Sequence, residues 1–280
     1  MKKIVTIQDI SCIGKCSLTV ALPIISSMGI ETAVIPTAVL STHTAFKDFT
    51  YRDLSLDIPL IQKHWKKENF NFNAIYTGYL GSINQIDMIQ DFFQEFKTTS
   101  NFIFIDPVMG DNGKLYTGFN QKFATKMAKL CKMADIIVPN LTEASYMLKK
   151  EYKEEYTKEE IKQILVSLSN LGPKKVILTG VSFNKNELGV ITYDKKTKKF
   201  FSYFKEKIDV KYHGTGDVFS STCVAALVNN YSLEKSIKIA TDFVWEAIKH
   251  TYNTKGKDAY GVDFEKKLGT IINYKEGSNI

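Results

Sequence analysis

The stretch His213-Gly214-Thr215-Gly216-Asp217 precedes an apolar run with helical spacing, from Val218 to Leu227. Its glycines allow backbone N–H groups to converge on an anion at a helix N-terminus, where the helix dipole adds a favourable field. Asp217 falls in the first turn, placed to accept a proton from an attacking hydroxyl. Read alone, the stretch also fits an ordinary glycine turn with a stabilising acidic residue, and that reading needs no ligand. It therefore predicts a helix start with an available phosphate site, without fixing a reaction.

Short apolar runs elsewhere have the length of buried parallel strands rather than of helices. They are Ile4–Ile7, Phe102–Ile105, Ile136–Val138 and Val176–Leu178. Between them, apolar residues recur at spacings of three and four, from Ile86 to Phe96, from Phe119 to Leu130 and from Ile161 to Leu171. This alternation predicts right-handed βαβ crossovers, and hence an α/β fold with a mostly parallel central sheet flanked by helices on both faces.

One segment departs from the alternation, because Leu188–Tyr193 and Phe200–Phe204 flank the polar turn Asp194–Lys199. This pattern predicts a small antiparallel hairpin. From Gly214 to Tyr252 the spacing is helical again. The chain has no linker, low-complexity tract or repeat, so we expect a single domain over residues 1–280.

The net charge of +7 raises the hypothesis of a nucleic-acid partner, yet Arg52 is the only arginine among 37 basic residues. Bidentate reading of bases therefore has almost no donor. The lysines are spread in short runs beside polar residues, which is typical of a solvated surface. We expect no nucleic-acid partner.

The apolar stretch after Met1 is interrupted by Gln8 and Asp9, and no uncharged apolar run reaches membrane-spanning length. The cysteines lack zinc-ligand spacing; they are Cys12, Cys16, Cys131 and Cys223. We therefore expect a cytoplasmic protein with reduced thiols and no membrane partner.

Polar residues follow the predicted strands, at the edge where an open parallel sheet binds ligands. They are Gln8, Asp9, Asp106, Asn140 and Thr179. Such residues are also common in loops and caps, so the pattern indicates a ligand edge without identifying the ligand.

Two of the segments that follow predicted strands have residues suited to binding phosphate and a metal ion. Asp106 and Asp111 flank a Pro/Gly turn, an arrangement that fits a largely hydrated magnesium ion but also an ordinary tight loop. Asn140 and Glu143 have the spacing of a capping box, and Glu143 is able to hold a metal-bound water while capping. Gly14-Lys15 does not complete a P-loop, and the chain lacks the G-x-G-x-x-G fingerprint of a Rossmann dinucleotide site.

Two further residues are ambiguous on sequence alone. His43 lies in Ser41-Thr42-His43-Thr44, and a lone loop histidine is usually a surface residue. Tyr79, between Gly78 and Leu80, fits a core aromatic residue with a polar tip as well as a binding residue.

Taken in order, these segments resemble the pyridoxal kinase branch of the ribokinase superfamily. The resemblance runs from about Ile4 to the helix after Asp217. It rests on Ile7-Gln8, Ser41 to Thr44, Thr77-Gly78-Tyr79-Leu80-Gly81-Ser82, Asp106 to Asp111, Pro139-Asn140 to Glu143, and Gly214-Thr215-Gly216-Asp217. It implies a ribokinase-like fold and transfer of the γ-phosphoryl group of ATP to the hydroxymethyl group of pyridoxal, pyridoxine or pyridoxamine.

The resemblance also implies roles for individual residues. Asp217 matches the catalytic base, and Gly214, Thr215 and Gly216 match the anion hole. ATP contacts correspond to Asp106, Asp111, Tyr116, Asn140, Thr179 and Thr215, the metal site to Asp106 and Glu143, and the vitamer pocket to Asp9, Ser41, His43, Thr44, Tyr79 and Asp217. The implied cofactors are ATP and Mg²⁺, the implied assembly is a homodimer, and a monovalent-cation requirement stays open.

Asp9 departs from the family pattern, which has a serine that contacts the vitamer ring at this position. Vitamer choice therefore stays open. A related branch phosphorylates hydroxymethylpyrimidine in thiamine biosynthesis and often has Cys at the position of Asp217, so Asp217 favours the pyridoxal branch. Two alternatives stay open. One is a hydroxymethylpyrimidine kinase on the same fold, and the other is a non-catalytic nucleotide-binding module, which the retained Asp217 disfavours.

Overall fold

The computed structural model describes residues 1–256 and 259–275. Strands and helices alternate along the chain in the order β1 (Lys3–Ile13), α1 (Leu18–Ser27), β2 (Glu31–Thr42), β3 (Tyr51–Asp53), α2 (Ile58–Lys67), β4 (Ala74–Thr77), α3 (Ile83–Phe96), β5 (Phe102–Ile105), β6 (Gly110–Asp111), β7 (Lys114–Leu115), α4 (Gln121–Cys131), β8 (Ile136–Ile137), α5 (Leu141–Leu148), α6 (Lys158–Asn170), β9 (Lys175–Val181), β10 (Glu187–Asp194), β11 (Lys199–Glu206), α7 (Thr215–Val228) and α8 (Leu233–Lys255). Two short 3₁₀ helices follow, Glu265–Thr270 and Ile272–Tyr274. The predicted α/β class, with a mostly parallel sheet, helices and a small antiparallel hairpin, is confirmed.

The chain forms two compact units, and the first combines residues 1–76 with the described residues from Ile208 onward. In it, β1 pairs in parallel with β2, placing Ile7 opposite Ile35, and β3 adds to β2 in antiparallel orientation. Helix α1 packs on both long strands, and α7 packs on α1 and α8. Because it is covered by these neighbours, α7 is buried over most of its surface. Burial begins at Val218, while the first residues of the helix are half-buried or exposed.

The second unit comprises residues Thr77–Lys207. Strand β8 lies between β5 and β9 in parallel pairing, with Phe104 opposite Ile136. Strand β10 then joins β9 in antiparallel orientation and turns back into β11, with Tyr193 opposite Phe200, as the sequence predicted. A separate two-stranded ribbon, β6 and β7, follows the Asp106 loop.

Two predicted strand boundaries are wrong. Strand β1 continues to Ile13, so Asp9 lies inside the strand rather than after it, at a point where the pairing register with β2 shifts between Gln8 and Ile10. Such a bulge changes the direction in which a side chain points, so a polar residue fits within the strand. Thr179 likewise lies inside β9, where it bridges to Asn140.

The predicted helical stretch from Gly214 to Tyr252 divides into α7 and α8. Asn230 adopts φ 68°, which a continuous helix does not allow. The Ser232 hydroxyl then caps α8 by accepting the N–H of Lys235 at 3.2 Å. No helix within residues 1–256 and 259–275 combines the length and apolar character needed to cross a membrane.

Candidate active site

The N-terminus of α7 is shaped by two glycines with different surroundings. Gly214 is the N-cap residue with φ 82°, and a Cβ built on it would lie 1.4 Å from the carbonyl oxygen of Lys15. Apart from its chain neighbours and the backbone of its own helix, a Cβ at Gly216 would meet no described atom within 4 Å, and Gly216 is exposed. Glycine is therefore required at position 214 by the left-handed backbone and the close Lys15 carbonyl, whereas at position 216 it leaves open space at the start of the helix.

Asp217 is half-buried in the first turn of α7. Burial and then the negative charge of Asp217 raise the pKa of the Cys16 thiol to about 12. Cys16 therefore stays a neutral thiol beside the carboxylate and supplies no nucleophile at neutral pH. The first N–H groups of any α-helix lack partners within the helix, so an acid and anion-binding donors occupy one end of α7.

Asp9 is 4% exposed and fixes the loop that joins β1 to α1. Ser17 donates its hydroxyl to one carboxylate oxygen at 2.5 Å, and Ser11 donates to the other at 3.1 Å. Burial raises the pKa of Asp9, and the two hydroxyl hydrogen bonds oppose that rise. Ser17 is the N-cap residue of α1 and adopts φ 51°, so Asp9 holds a strained turn in place.

His43 is 6% exposed, so the surface position usual for a loop histidine is wrong here. Its ring centroid lies 4.6 Å from that of His213, 4.7 Å from that of Phe46 and 6.4 Å from that of Tyr260. Nδ1 accepts the N–H of Ala45 at 3.3 Å, while the buried Nε2 has no hydrogen-bond partner within the described chain. Burial and then His213 lower the pKa of His43. His43 is therefore a buried imidazole enclosed by aromatic residues.

The other residues assigned to the vitamer pocket have mixed surroundings. Ser41 accepts the N–H of Thr50 on its hydroxyl at 2.9 Å, which ties the end of β2 to the following loop. Thr44 is exposed. Tyr79 belongs to the second unit, where its ring centroid lies 5.6 Å from that of Phe119. The structure therefore groups Asp9, Ser41, His43 and Asp217 in one unit and places Tyr79 in the other.

In the second unit, the capping box predicted at the start of α5 is confirmed. Asn140 accepts the N–H of Glu143 at 2.9 Å, and Glu143 accepts the N–H of Asn140 at 2.8 Å. The other Glu143 oxygen accepts the N–H of Met109 at 3.1 Å, and the Asn140 amide donates to the Gly110 carbonyl at 2.8 Å. The capping box thus also anchors the loop that follows Asp106.

Glu143 and Asp106 form a buried acidic pair. They are 3% and 6% exposed. Burial and then the charge of Asp106 raise the pKa of Glu143 well above its ordinary value, against the effect of its two backbone hydrogen bonds. Like charges in a low-dielectric site repel strongly, so this pair favours a proton or a cation.

The remaining residues assigned to ATP are divided between the two units. Asp111 is exposed in the β6–β7 ribbon and accepts the N–H of Asn112 at 2.8 Å. Tyr116 is 41% exposed and its N–H donates to the Met109 carbonyl at 2.9 Å. The Thr179 N–H donates to Pro139 at 3.0 Å, and half-buried Thr215 begins α7 in the first unit.

Several residues at these sites were not predicted. Ser11 and Ser17 hold Asp9, His213 and Tyr260 lie beside His43, and Lys15 contacts Gly214. His213 precedes the glycine stretch and was identifiable by position alone. The others come together through the tertiary fold, and no local pattern signals their contacts.

The sequence is similar to that of known kinases. The profile of the phosphomethylpyrimidine kinase family matches residues 24–262. A hydroxymethylpyrimidine/phosphomethylpyrimidine kinase of Aquifex aeolicus is 30% identical over 185 residues, which are 66% of this chain and 70% of that protein.

Similar solved structures include a pyridoxal kinase and a protein assigned as a phosphomethylpyrimidine kinase. A Bacteroides thetaiotaomicron protein assigned as a phosphomethylpyrimidine kinase, in a crystal form with pyridoxal, matches with a TM-score of 0.93 at 39% identity, covering 96% of this chain and 95% of that one. Pyridoxal kinase from Lactobacillus plantarum matches with a TM-score of 0.90 at 27% identity, covering 100% of both chains. The predicted ribokinase-like fold is confirmed.

Proposed function

The chain belongs to the phosphomethylpyrimidine kinase family of the ribokinase superfamily, and on that premise we propose that it phosphorylates vitamin B6 compounds with ATP. The acceptor is the hydroxymethyl group of pyridoxal, pyridoxine or pyridoxamine. The observation that carries the proposal is the position of Asp217 in the first turn of α7, beside the open space at Gly216. A base at an anion-binding helix N-terminus suits phosphoryl transfer to a hydroxyl.

In the proposed reaction, the hydroxymethyl oxygen attacks the γ-phosphorus and its proton passes to the Asp217 carboxylate. The bond between the γ-phosphorus and the bridging oxygen breaks, and ADP leaves with that electron pair. Backbone N–H groups at Gly214, Thr215 and Gly216 stabilise charge on the phosphoryl oxygens. Positioning and charge neutralisation supply most of the rate in this chemistry, so no covalent intermediate with the protein is required.

Incubation of the purified chain with ATP, Mg²⁺ and pyridoxal tests the proposal. We expect ADP and pyridoxal 5′-phosphate in equal amounts, identified by chromatography and mass spectrometry. Inorganic phosphate without phosphorylated vitamer would instead indicate ATP hydrolysis, and unchanged ATP with both pyridoxal and hydroxymethylpyrimidine would support the non-catalytic module.

Magnesium fits the acidic pair of the second unit. A cation would offset the repulsion that contributes to the raised pKa of Glu143 beside Asp106. Across residues 1–256 and 259–275, no three His, Cys, Asp or Glu side chains assemble into a metal-binding group. This suits Mg²⁺, which binds through one or two carboxylates and otherwise keeps water and phosphate ligands. We assign Asp106 and Glu143 to the ion, which neutralises phosphate charge when bound, and Asp106, Asp111, Tyr116, Asn140, Thr179 and Thr215 to ATP.

Glu143→Gln should raise the Mg²⁺ concentration that gives half-maximal activity, by about 10- to 100-fold as for other changes around bound metals. The neutral side chain loses attraction for the ion. Met109 and Asn140 donate to different oxygens of Glu143, and glutamine replaces one of these oxygens by an NH₂ donor, so one of the two N–H groups loses its acceptor. The measurement is a magnesium titration of initial rate at saturating ATP and pyridoxal.

Glu160→Gln is the matched control, because Glu160 closes the capping box of α6 by accepting the N–H of Thr157 at 2.8 Å. It should leave the magnesium titration unchanged. An unchanged titration in Glu143→Gln as well would restrict Glu143 to capping and loop anchoring.

Asp9 is our candidate for vitamer choice. Its carboxylate accepts hydroxyl hydrogen bonds from Ser11 and Ser17, and we propose that it also accepts one from an amino group or a ring N–H of the vitamer. Asp9→Ser should therefore lower the ratio of kcat/KM for pyridoxamine to that for pyridoxal. The expected change is about 10- to 100-fold, since one hydrogen bond to a charged group contributes about 1.5–3 kcal/mol.

The two vitamers are compared side by side on the wild type and Asp9→Ser. The control is Asp53→Ser, since Asp53 also accepts a serine hydroxyl, from Ser55 at 2.5 Å, outside the assigned pocket. We expect no change of ratio in the control. The same ratio in all three proteins would leave Asp9 with the purely local role of holding Ser11 and Ser17.

Hydroxymethylpyrimidine is the second candidate substrate. The family profile and the Aquifex aeolicus relative favour it, and its hydroxymethyl group would undergo the same transfer. Relative kcat/KM values for hydroxymethylpyrimidine and the vitamers separate the two candidates.

A further inference from the structure

Lys15 occupies an acidic pocket formed by the described C-terminal segment. Its Nζ lies 3.0 Å from Asp263 and 2.6 Å from Glu265, and its side chain is 13% exposed. The ammonium also lies 5.7 Å from the ring centroid of buried Phe264. Lys15 and Glu265 are 250 positions apart in the chain. One side chain thus joins the β1–α1 loop to the segment around residues 263–265.

The negative charge of Asp263 is stabilised by two lysines, Lys15 and Lys255. Asp263 also pairs with Lys255 at 2.8 Å, and its backbone N–H donates to the Thr251 hydroxyl at 2.8 Å. Burial alone would raise the pKa of Asp263, but hydrogen bonds from Lys255 and Lys15 outweigh that effect and lower it. The Lys15–Asp263 pair is the shielded one, with side chains 13% and 12% exposed, whereas Glu265 and Lys255 are 48% and 50% exposed. Removing Lys15 therefore leaves the buried Asp263 charge compensated by Lys255 alone.

The backbone of Lys15 contacts the phosphate end of α7. Its carbonyl oxygen occupies the space that a Cβ at Gly214 would need. From the other direction, the Val262 N–H donates to the carbonyl of His213 at 3.3 Å, and a Cβ at Gly261 would lie 2.4 Å from the Lys15 Cβ. The residue that binds the acidic segment through its side chain therefore touches Gly214 through its main chain.

We propose that Lys15 is a positioning residue for phosphoryl transfer: its ion pairs to Asp263 and Glu265 hold the carbonyl against Gly214, and so set the orientation of the N–H groups at the start of α7. This inference rests on the proposed function. Without the ammonium, the loop at residues 14–16 loses its attachment to the C-terminal segment. The α7 N-terminus then loses its support, while His43 and Asp9 keep their own contacts.

Lys15→Met keeps much of the apolar stem and removes the charge. We expect kcat to fall about 10- to 100-fold with the KM for pyridoxal changed less than about threefold, because misplacement of a catalytic group by about 1 Å costs on that order. Lys15→Arg keeps the charge and should recover most of the loss. Lys3→Met is the matched control, since Lys3 also combines an ion pair, to Glu31 at 3.1 Å, with a ring contact, to Phe70 at 5.1 Å. It should keep kcat within about twofold of the wild type.

Hydrogen–deuterium exchange of residues 213–219, measured without substrate, reads the same effect independently of activity. Exchange there should be faster in Lys15→Met than in the wild type and unchanged in Lys3→Met. If Lys15→Met does not fold, Glu265→Gln weakens the same attachment and should show the same changes at smaller amplitude.

Exchange at residues 213–219 equal to that of the wild type in the folded variant would overturn the proposal, as would an unaltered kcat. If the wild type phosphorylates neither a vitamer nor hydroxymethylpyrimidine, the proposed function fails. In that case the exchange measurement still decides whether Lys15 holds the start of α7.

Discussion

Asp217→Asn should lower kcat for pyridoxal phosphorylation by about 10²- to 10⁴-fold, the usual contribution of a general base. Asparagine keeps the size of the side chain but cannot take the proton of the attacking hydroxyl. Because asparagine matches the size of Asp217 in the first turn of α7, we expect the thermal unfolding midpoint to change little. Steady-state kinetics together with circular dichroism separate lost chemistry from lost structure.

The competing role for Asp217 is stabilisation of α7 by a first-turn acid. Glu234→Gln is the control, because Glu234 is likewise the acidic residue in the first turn of its helix, α8, and is exposed. It should show the small stability effect of a first-turn charge without a loss of kcat. Near-normal turnover in folded Asp217→Asn would reduce Asp217 to that structural role.

Gly214→Ala should lose stability, whereas Gly216→Ala should stay stable and lose phosphate binding. Alanine at Gly214 has to adopt φ 82° and collides with the Lys15 carbonyl. Left-handed backbone costs about 1–2 kcal/mol and overpacking about 1–3 kcal/mol, so we expect the free energy of unfolding to fall by about 2–5 kcal/mol. Alanine at Gly216 has open space in the described structure, so stability should hold while the added methyl group weakens phosphate binding.

Denaturant unfolding and ATP titrations on both variants check this contrast. Equal stability losses would contradict the different surroundings of the two glycines. A Gly216→Ala protein with normal turnover and normal ATP affinity would mean that phosphate does not bind at the start of α7.

Local patterns were sufficient to predict the strands whose apolar runs are bounded by polar residues. Phe102–Ile105 is β5 itself, and the hairpin of β10 and β11 pairs around the predicted turn. Helix α1 was not predicted because its residues are apolar nearly throughout and include Pro23, so no periodic stripe marks it. The end of β1 was missed because a bulge allows Asp9 to lie within the strand.

In the candidate site, too, residues with a local sequence signal were predicted and residues placed by tertiary contacts were not. Residues 214–217 and 140–143 carry their signal in consecutive positions, since helix caps and glycine turns are local structures. The burial of His43 depends on residues from distant parts of the chain, as does the pairing of Lys15 with Glu265. Contacts of that kind depend on tertiary packing, which no window of sequence contains.

The most direct test of the central claim is a single comparison of kcat/KM for pyridoxal, pyridoxine, pyridoxamine and hydroxymethylpyrimidine with ATP and Mg²⁺. We predict that at least one vitamer exceeds hydroxymethylpyrimidine by about tenfold or more, a ratio that one or two specific pocket contacts can produce. A higher kcat/KM for hydroxymethylpyrimidine than for every vitamer would contradict the account and assign the chain to pyrimidine phosphorylation.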